Sequence, residues 1–162
     1  MKRIAELLYG CYALTVWAVM IFLLVCPLIV LGPTLAIRRA IGRAGVKLTM
    51  AACFAPLHVR GLNRLPDGPC VVVSNHASYL DGLVLTAALP ARFTFVVQDG
   101  AEKWPYIGLV IRRMGVTFVN RSSAKAGELQ TRALIRRLQE GESLTVFAEG
   151  TFKPEPGLLP FR

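Results

Sequence analysis

His76 and Asp81, five residues apart, are the pair in this 162-residue chain best suited to acid–base chemistry. They close the stretch Val71–Asp81, VVVSNHASYLD. A β-branched run ending in turn residues reads as a buried strand. Leu80, Leu83, Val84 and Ala87 then recur at helical spacing, so the strand feeds a helix with His76 at the corner. Residues i and i+5 point apart along one helix, but a strand–turn–helix corner can fold them together. A carboxylate accepting the Nδ1 proton would fix the imidazole tautomer and leave Nε2 as the base. Ser74 and Ser78 flank the pair as rival nucleophiles, but no G-x-S-x-G elbow supports them. Asn75 suits turn chemistry and equally a polar role beside the base.

Two more stretches supply polar groups at strand ends. Gly115–Arg121 reads GVTFVNR, and a guanidinium ending a strand can clamp a phosphate with two hydrogen bonds. Phe147–Thr151 reads FAEGT. There Glu149 follows an apolar strand, and Gly150 permits a tight turn with exposed backbone N–H groups.

The three blocks, in this order, resemble the glycerolipid acyltransferase family, whose familiar members are 1-acylglycerol-3-phosphate acyltransferases. That family carries an Asn-His-x4-Asp box, a Gly/Val-rich strand ending in Arg, and a Phe-Pro-Glu-Gly-Thr box. Here Ala148 replaces the Pro, which leaves φ freer and removes no reacting group. The resemblance implies transfer of a fatty acyl group from a thioester, on acyl-carrier protein or coenzyme A, to the hydroxyl of a lysophospholipid. The foremost acceptor is 1-acylglycerol 3-phosphate. It implies His76 as general base and Asp81 as its orienting carboxylate. Arg121 and the Glu149–Gly150–Thr151 loop, with Asn75 nearby, would hold the acceptor. It implies no metal and no cofactor beyond the donor thioester. Other acceptors stay open (glycerol 3-phosphate, a lyso-aminolipid, a glycan), as does a non-catalytic, truncated membrane protein. The final GLLPFR resembles the approach to a fourth block, and the chain ends at Arg162 before it.

Composition agrees with a lipid substrate. The chain is 54% hydrophobic with mean hydropathy +0.49, so a membrane segment is expected. The net charge of +9 suits an anionic membrane surface or a phosphorylated substrate. No Lys/Arg-rich run or aromatic-studded motif points to nucleic acid. Cys11, Cys26, Cys53 and Cys70 form no C-x-x-C, and with only His58 and His76 present no metal-ligand spacing arises.

The elements that must position these groups fall into two regions, a membrane-anchoring helical part (1–55) and an acyltransferase domain (56–162). Leu7 to Ile37 holds no charged residue, against the roughly 20 apolar residues a membrane span needs. Pro27 and Gly32-Pro33 should kink or stop this helix, and Tyr9 and Tyr12 suit interfacial anchoring. Thr34 to Phe54, with Arg38, Arg39, Arg43 and Lys47, suits an amphipathic helix in the headgroup plane. Either one span precedes an interfacial helix, or a two-helix hairpin dips into one leaflet. Slightly heavier positive charge after the apolar stretch places the domain on the cytoplasmic side of the inner membrane. In the domain we expect an edge strand at Leu57–Arg60, then strands near Val71, Phe93–Val97, Val116–Asn120 and Ser143–Ala148. Helices following Asp81, at Trp104–Met114 and at Ala124–Glu140 alternate with them. That order predicts a layered α/β fold with a mostly parallel or mixed sheet. Lys103, Arg112 and Arg113 could form a basic rim or a solvated helix face.

Overall fold

The computed structural model describes residues 2–98, 100, 103–119, 124–151 and 157–161. The chain begins with one continuous helical rod, Lys2–Leu31. It comprises α1 (Lys2–Trp17), a π-helical segment (Ala18–Val25) and α2 (Cys26–Leu31). Pro27, read from the sequence as a kink or a stop, does not stop it. The wider π turn ends just before Pro27, which then occupies the first turn of α2, where a missing N–H removes no α-helical bond. The rod stops where expected, at Gly32, whose N–H donates to Leu28 O and Ile29 O.

Thr34 caps α3 (Leu35–Ala52) by accepting the Ile37 N–H. This helix runs back along the rod. Tyr9 and Tyr12 donate their hydroxyls to Cys53 O and Ala52 O, each at 2.8 Å, and so occupy carbonyls at the end of α3. Close approach of the two helices is set by Gly45. A Cβ there would lie 2.4 Å from Val25 Cγ2, so only glycine lets the backbones come this near.

The sheet has four strands, β1 (Val71–Ser74), β2 (Phe93–Gln98), β3 (Thr117–Val119) and β4 (Ser143–Phe147). Their spatial order is β1-β4-β2-β3, and every pairing is parallel. The connecting helices are α4 (Asp81–Ala88), α5 (Pro105–Arg113) and α6 (Ala124–Gln139). Helix α4 ends at Leu89, forced to an extended ψ of 153° before Pro90. Leu57–Arg60 forms no strand; that stretch runs as irregular chain into a 3₁₀ turn at Leu62–Arg64. Its four residues alternate in burial but pair with no strand.

The main core lies between the two regions rather than inside either. Ile21, Val25, Cys26 and Ile29 of the rod meet Val46 of α3, Ala87 of α4 and Val110 of α5. Arginines fasten the same seam. Arg113 donates to Val30 O and Gly32 O, Arg38 to Gly32 O, Pro33 O and Arg113 O, and Arg39 to Met114 O and Arg92 O. Arg38, Arg39 and Arg113 therefore face protein carbonyls, not a headgroup plane or a substrate rim. Lys47 and Lys103 remain exposed.

Candidate active site

β1 and β4 are in register at Ser74↔Phe147. Two residues beyond each partner stand His76 and Glu149, so the strand pairing alone sets these side by side at the carboxyl edge of the sheet. This is where open α/β sheets gather ligands.

The His76 turn is built by Asp81. Oδ2 accepts from His76 Nδ1 (2.9 Å), Ala77 N–H (2.6 Å) and Ser78 N–H (2.8 Å), and Oδ1 accepts from Ser78 Oγ (3.0 Å). One carboxylate thus holds both the ring and the loop that carries it into α4. Burial alone would push the Asp81 carboxyl up. The hydrogen bonds from His76, Ala77 and Ser78 outweigh that and bring it down from 3.8 to about 2. An ionised Asp81 dictates the Nδ1–H tautomer, which puts the basic lone pair on Nε2. The pair is mostly shielded, with side chains 19% and 25% exposed.

The serines are engaged locally. Ser78 Oγ donates to Asp81 and accepts the Leu80 N–H, while Ser74 Oγ donates to Asn75 O. Neither has the base-facing geometry of an acyl-enzyme nucleophile. The exposed Asn75 follows β1 directly. Gly150 sits at φ 68°, and its N–H donates to Phe147 O, which makes the tight turn after Glu149. Thr151 is exposed beside it. Glu149 itself is 2% exposed and accepts backbone N–H groups with both oxygens. Arg121 lies outside the described residues. Among the described residues no group of three or more His, Cys, Asp or Glu is arranged to hold a metal ion.

Two features of the site were not found by reading the sequence. Phe147 stacks on the His76 ring, with centroids 4.1 Å apart and planes 16° from parallel. Its place at the head of the FAEGT block was the available signal. Phe147 and Tyr79 also line an apolar cavity of about 310 Å³. The cavity passes between β2, α4 and α5 and is walled on the far side by Phe22, Val25 and Ile29 of the rod and Gly42 of α3. So the N-terminal helices help wall a chamber whose lining includes Phe147, the ring stacked on the imidazole.

Comparison with known proteins decides the family. The Acyltransferase family profile matches residues 56–162. The chain belongs to this family. It is 32% identical over 108 residues to the 1-acyl-sn-glycerol-3-phosphate acyltransferase of Neisseria gonorrhoeae, a match covering 67% of this chain and 38% of that protein. It is 31% identical over 105 residues to the lyso-ornithine lipid O-acyltransferase of Brucella abortus, covering 64% and 39%. The crystal structure of the 1-acyl-sn-glycerophosphate (LPA) acyltransferase PlsC from Thermotoga maritima superposes with TM-score 0.70 at 25% identity. That match spans all of this chain and 68% of that one. The aligned part of this acyltransferase-family chain thus spans about two fifths of the length of the curated relatives it matches.

Proposed function

We propose that this protein is a membrane-seated O-acyltransferase that moves a fatty acyl group from a thioester to a lysophospholipid hydroxyl. The reading is carried by the His76–Asp81 contact of 2.9 Å, joined to an apolar cavity through Phe147, which stacks on His76 and lines that cavity. An alcohol attacks a thioester slowly unless its proton leaves as the new bond forms, and a fixed imidazole Nε2 suits that proton. The acceptor oxygen bonds to the acyl carbonyl carbon, its proton passes to Nε2, and the C–S bond breaks. The leaving thiolate recovers the proton from His76, so atoms and charge balance with no metal and no acyl-enzyme. The cavity suits the alkyl chain, being apolar and of ligand-pocket size. Arg121, with Asn75, Gly150 and Thr151, would hold the acceptor headgroup, and acyl-coenzyme A or acyl-carrier protein would supply the donor.

The foremost acceptor is 1-acylglycerol 3-phosphate, by likeness to the Neisseria protein. Likeness to the Brucella protein supports a second reading, a lyso-aminolipid acceptor on the same machinery. For the membrane we favour a hairpin seated in one leaflet. Ile21, Val25, Cys26 and Ile29 of the rod pack in the protein core while Leu23 and Leu28 stay exposed, so over its second half the rod offers lipid one face only, whereas a span meets the hydrocarbon layer over about 30 Å. We place the domain on the cytoplasmic face of the inner membrane. The test is thiol release by the protein in phospholipid vesicles, supplied with acyl-coenzyme A or acyl-carrier protein and a panel of acceptors. Release should require a lyso-lipid and vanish in His76→Ala. Undiminished transfer by His76→Ala would sink the mechanism.

A further inference from the structure

Glu149 is the one acidic side chain among the described residues that is fully buried. A carboxylate that held a glycerol hydroxyl would present an oxygen to the cleft. Instead Oε1 accepts the His76 N–H at 2.9 Å and Oε2 accepts the Leu159 N–H at 2.7 Å. One buried carboxyl that accepts a main-chain N–H at each oxygen ties two distant stretches of chain together as a clasp. The register explains why this clasp falls on His76: Glu149 stands as far past Phe147 as His76 stands past Ser74. The imidazole is therefore located from three directions, through Nδ1 by Asp81, through its face by Phe147, and through its main chain by Glu149.

We propose that Glu149 is a positioning residue that couples seating of the chain at Leu159 to alignment of His76. This rests on His76 being the base. When Leu159 is docked, the carboxylate is pulled from both sides and the His76 main chain is fixed. When it is not, Oε2 loses that donor and the carboxyl can shift against the His76 N–H. A 1 Å displacement of a catalytic group is enough to lower turnover about 100-fold. Unlike an acceptor ligand, such a residue acts on kcat and not on acceptor KM.

The test has one arm that needs no turnover. The chain has two histidines, so protein labelled with ¹⁵N-histidine gives two backbone amide signals, assigned with a His58→Gln variant. Glu149→Gln should shift the His76 amide, because Gln presents an NH₂ group in place of one oxygen. Leu159→Pro, which deletes the second donor, should shift the same signal. A His76 amide unmoved in Glu149→Gln overturns the positioning role, and one unmoved in Leu159→Pro overturns the coupling. The second arm is steady-state kinetics in vesicles with 1-acylglycerol 3-phosphate and acyl-coenzyme A. Glu149→Gln should lower kcat about 100-fold with acceptor KM within about threefold. Leu159→Pro should lower kcat by up to about tenfold, the loss of roughly one hydrogen bond. The double variant should be no worse than Glu149→Gln alone. A tenfold rise in acceptor KM at unchanged kcat, or multiplying effects in the double variant, would overturn the proposal. A wild-type protein without acyl transfer would sink the functional reading and leave the amide shifts to judge the clasp. Should Glu149→Gln not fold, Leu159→Pro, at a half-buried position, still tests the link.

Discussion

Asp81 does two jobs whose failures look different. Toward Ala77 and Ser78 it shapes the turn, and toward Nδ1 it sets the tautomer. Asp81→Asn can keep part of the first job and not the second, since an amide can turn its own N–H₂ toward Nδ1. It should lower kcat by about 10³–10⁴, the scale seen when a His-orienting carboxylate becomes an amide, with acceptor KM little changed. The acid response follows from the sign of the shift. The folded carboxyl lies near 2 and the ordinary value is 3.8, so ionised Asp81 stabilises the fold fully above about pH 4. That contribution fades as pH falls toward 2. The stability gap between wild type and Asp81→Asn, measured by unfolding in detergent, should narrow over the same window and not change from pH 5 to 7. Ser78→Ala removes one of the Asp81 hydrogen bonds and no nucleophile, so kcat should fall by no more than about tenfold. A loss as complete as that of His76→Ala would revive the serine mechanism. At this scale the dyad was legible because it is local, closed within a single turn. The Phe147 stack and the Glu149 clasp were not, since both depend on β1 and β4 being neighbours across 73 residues of chain.

Among the elements, the helical hairpin departs most from its sequence reading. Pro27 predicts a break when its ring is set against a regular α turn; the π segment before it changes the hydrogen-bond partners and lets the rod continue. Arginines on α3 predict a headgroup-facing stripe by period alone, yet Arg38 and Arg39 reach carbonyls of the domain, which period cannot reveal. The four strands of the sheet and α4 to α6 were legible to within a residue or two because Pro, Gly and the β-branched runs mark their ends, whereas the edge strand expected at Leu57–Arg60 does not form. What the hairpin does demand of the sequence is glycine at 45. Gly45→Ala would set a methyl against Val25 at well under contact distance, and overpacking of this kind costs about 1–3 kcal/mol. The unfolding midpoint should drop, and Val25→Ala in the same chain should recover part of the loss. Additive destabilisation by the two changes would show that Gly45 matters for some reason other than close packing. Since Val25 also lines the cavity, the rescued variant should accept a bulkier acyl chain at the same time.

At the scale of the whole molecule, the helical hairpin and the α/β domain share one core, and in the proposed seating α1 and the end of α3 offer apolar surface to the membrane. Leu7 and Leu14 are 69% and 73% exposed and lie two turns apart on one face of α1. Leu48 and Phe54, at the level where α3 ends, are exposed as well. No part of that face touches the apolar cavity or the His76 turn, so its exposure is available for lipid without disturbing the site. A charge buried at a helix centre in a membrane costs about 2.5–3.5 kcal/mol, so two of them outweigh most of the apolar gain from a single short helix. Leu7→Glu/Leu14→Glu should therefore leave the unfolding transition unchanged while vesicle flotation falls from most of the protein to a small fraction. Turnover should drop on acceptor embedded in vesicles and persist on acceptor dispersed in detergent. If the rod instead crosses the bilayer, the same pair of charges would lie within the first half of the span. Insertion would then fail outright, and with it the recovery of folded protein, a result that separates the two seatings in one preparation.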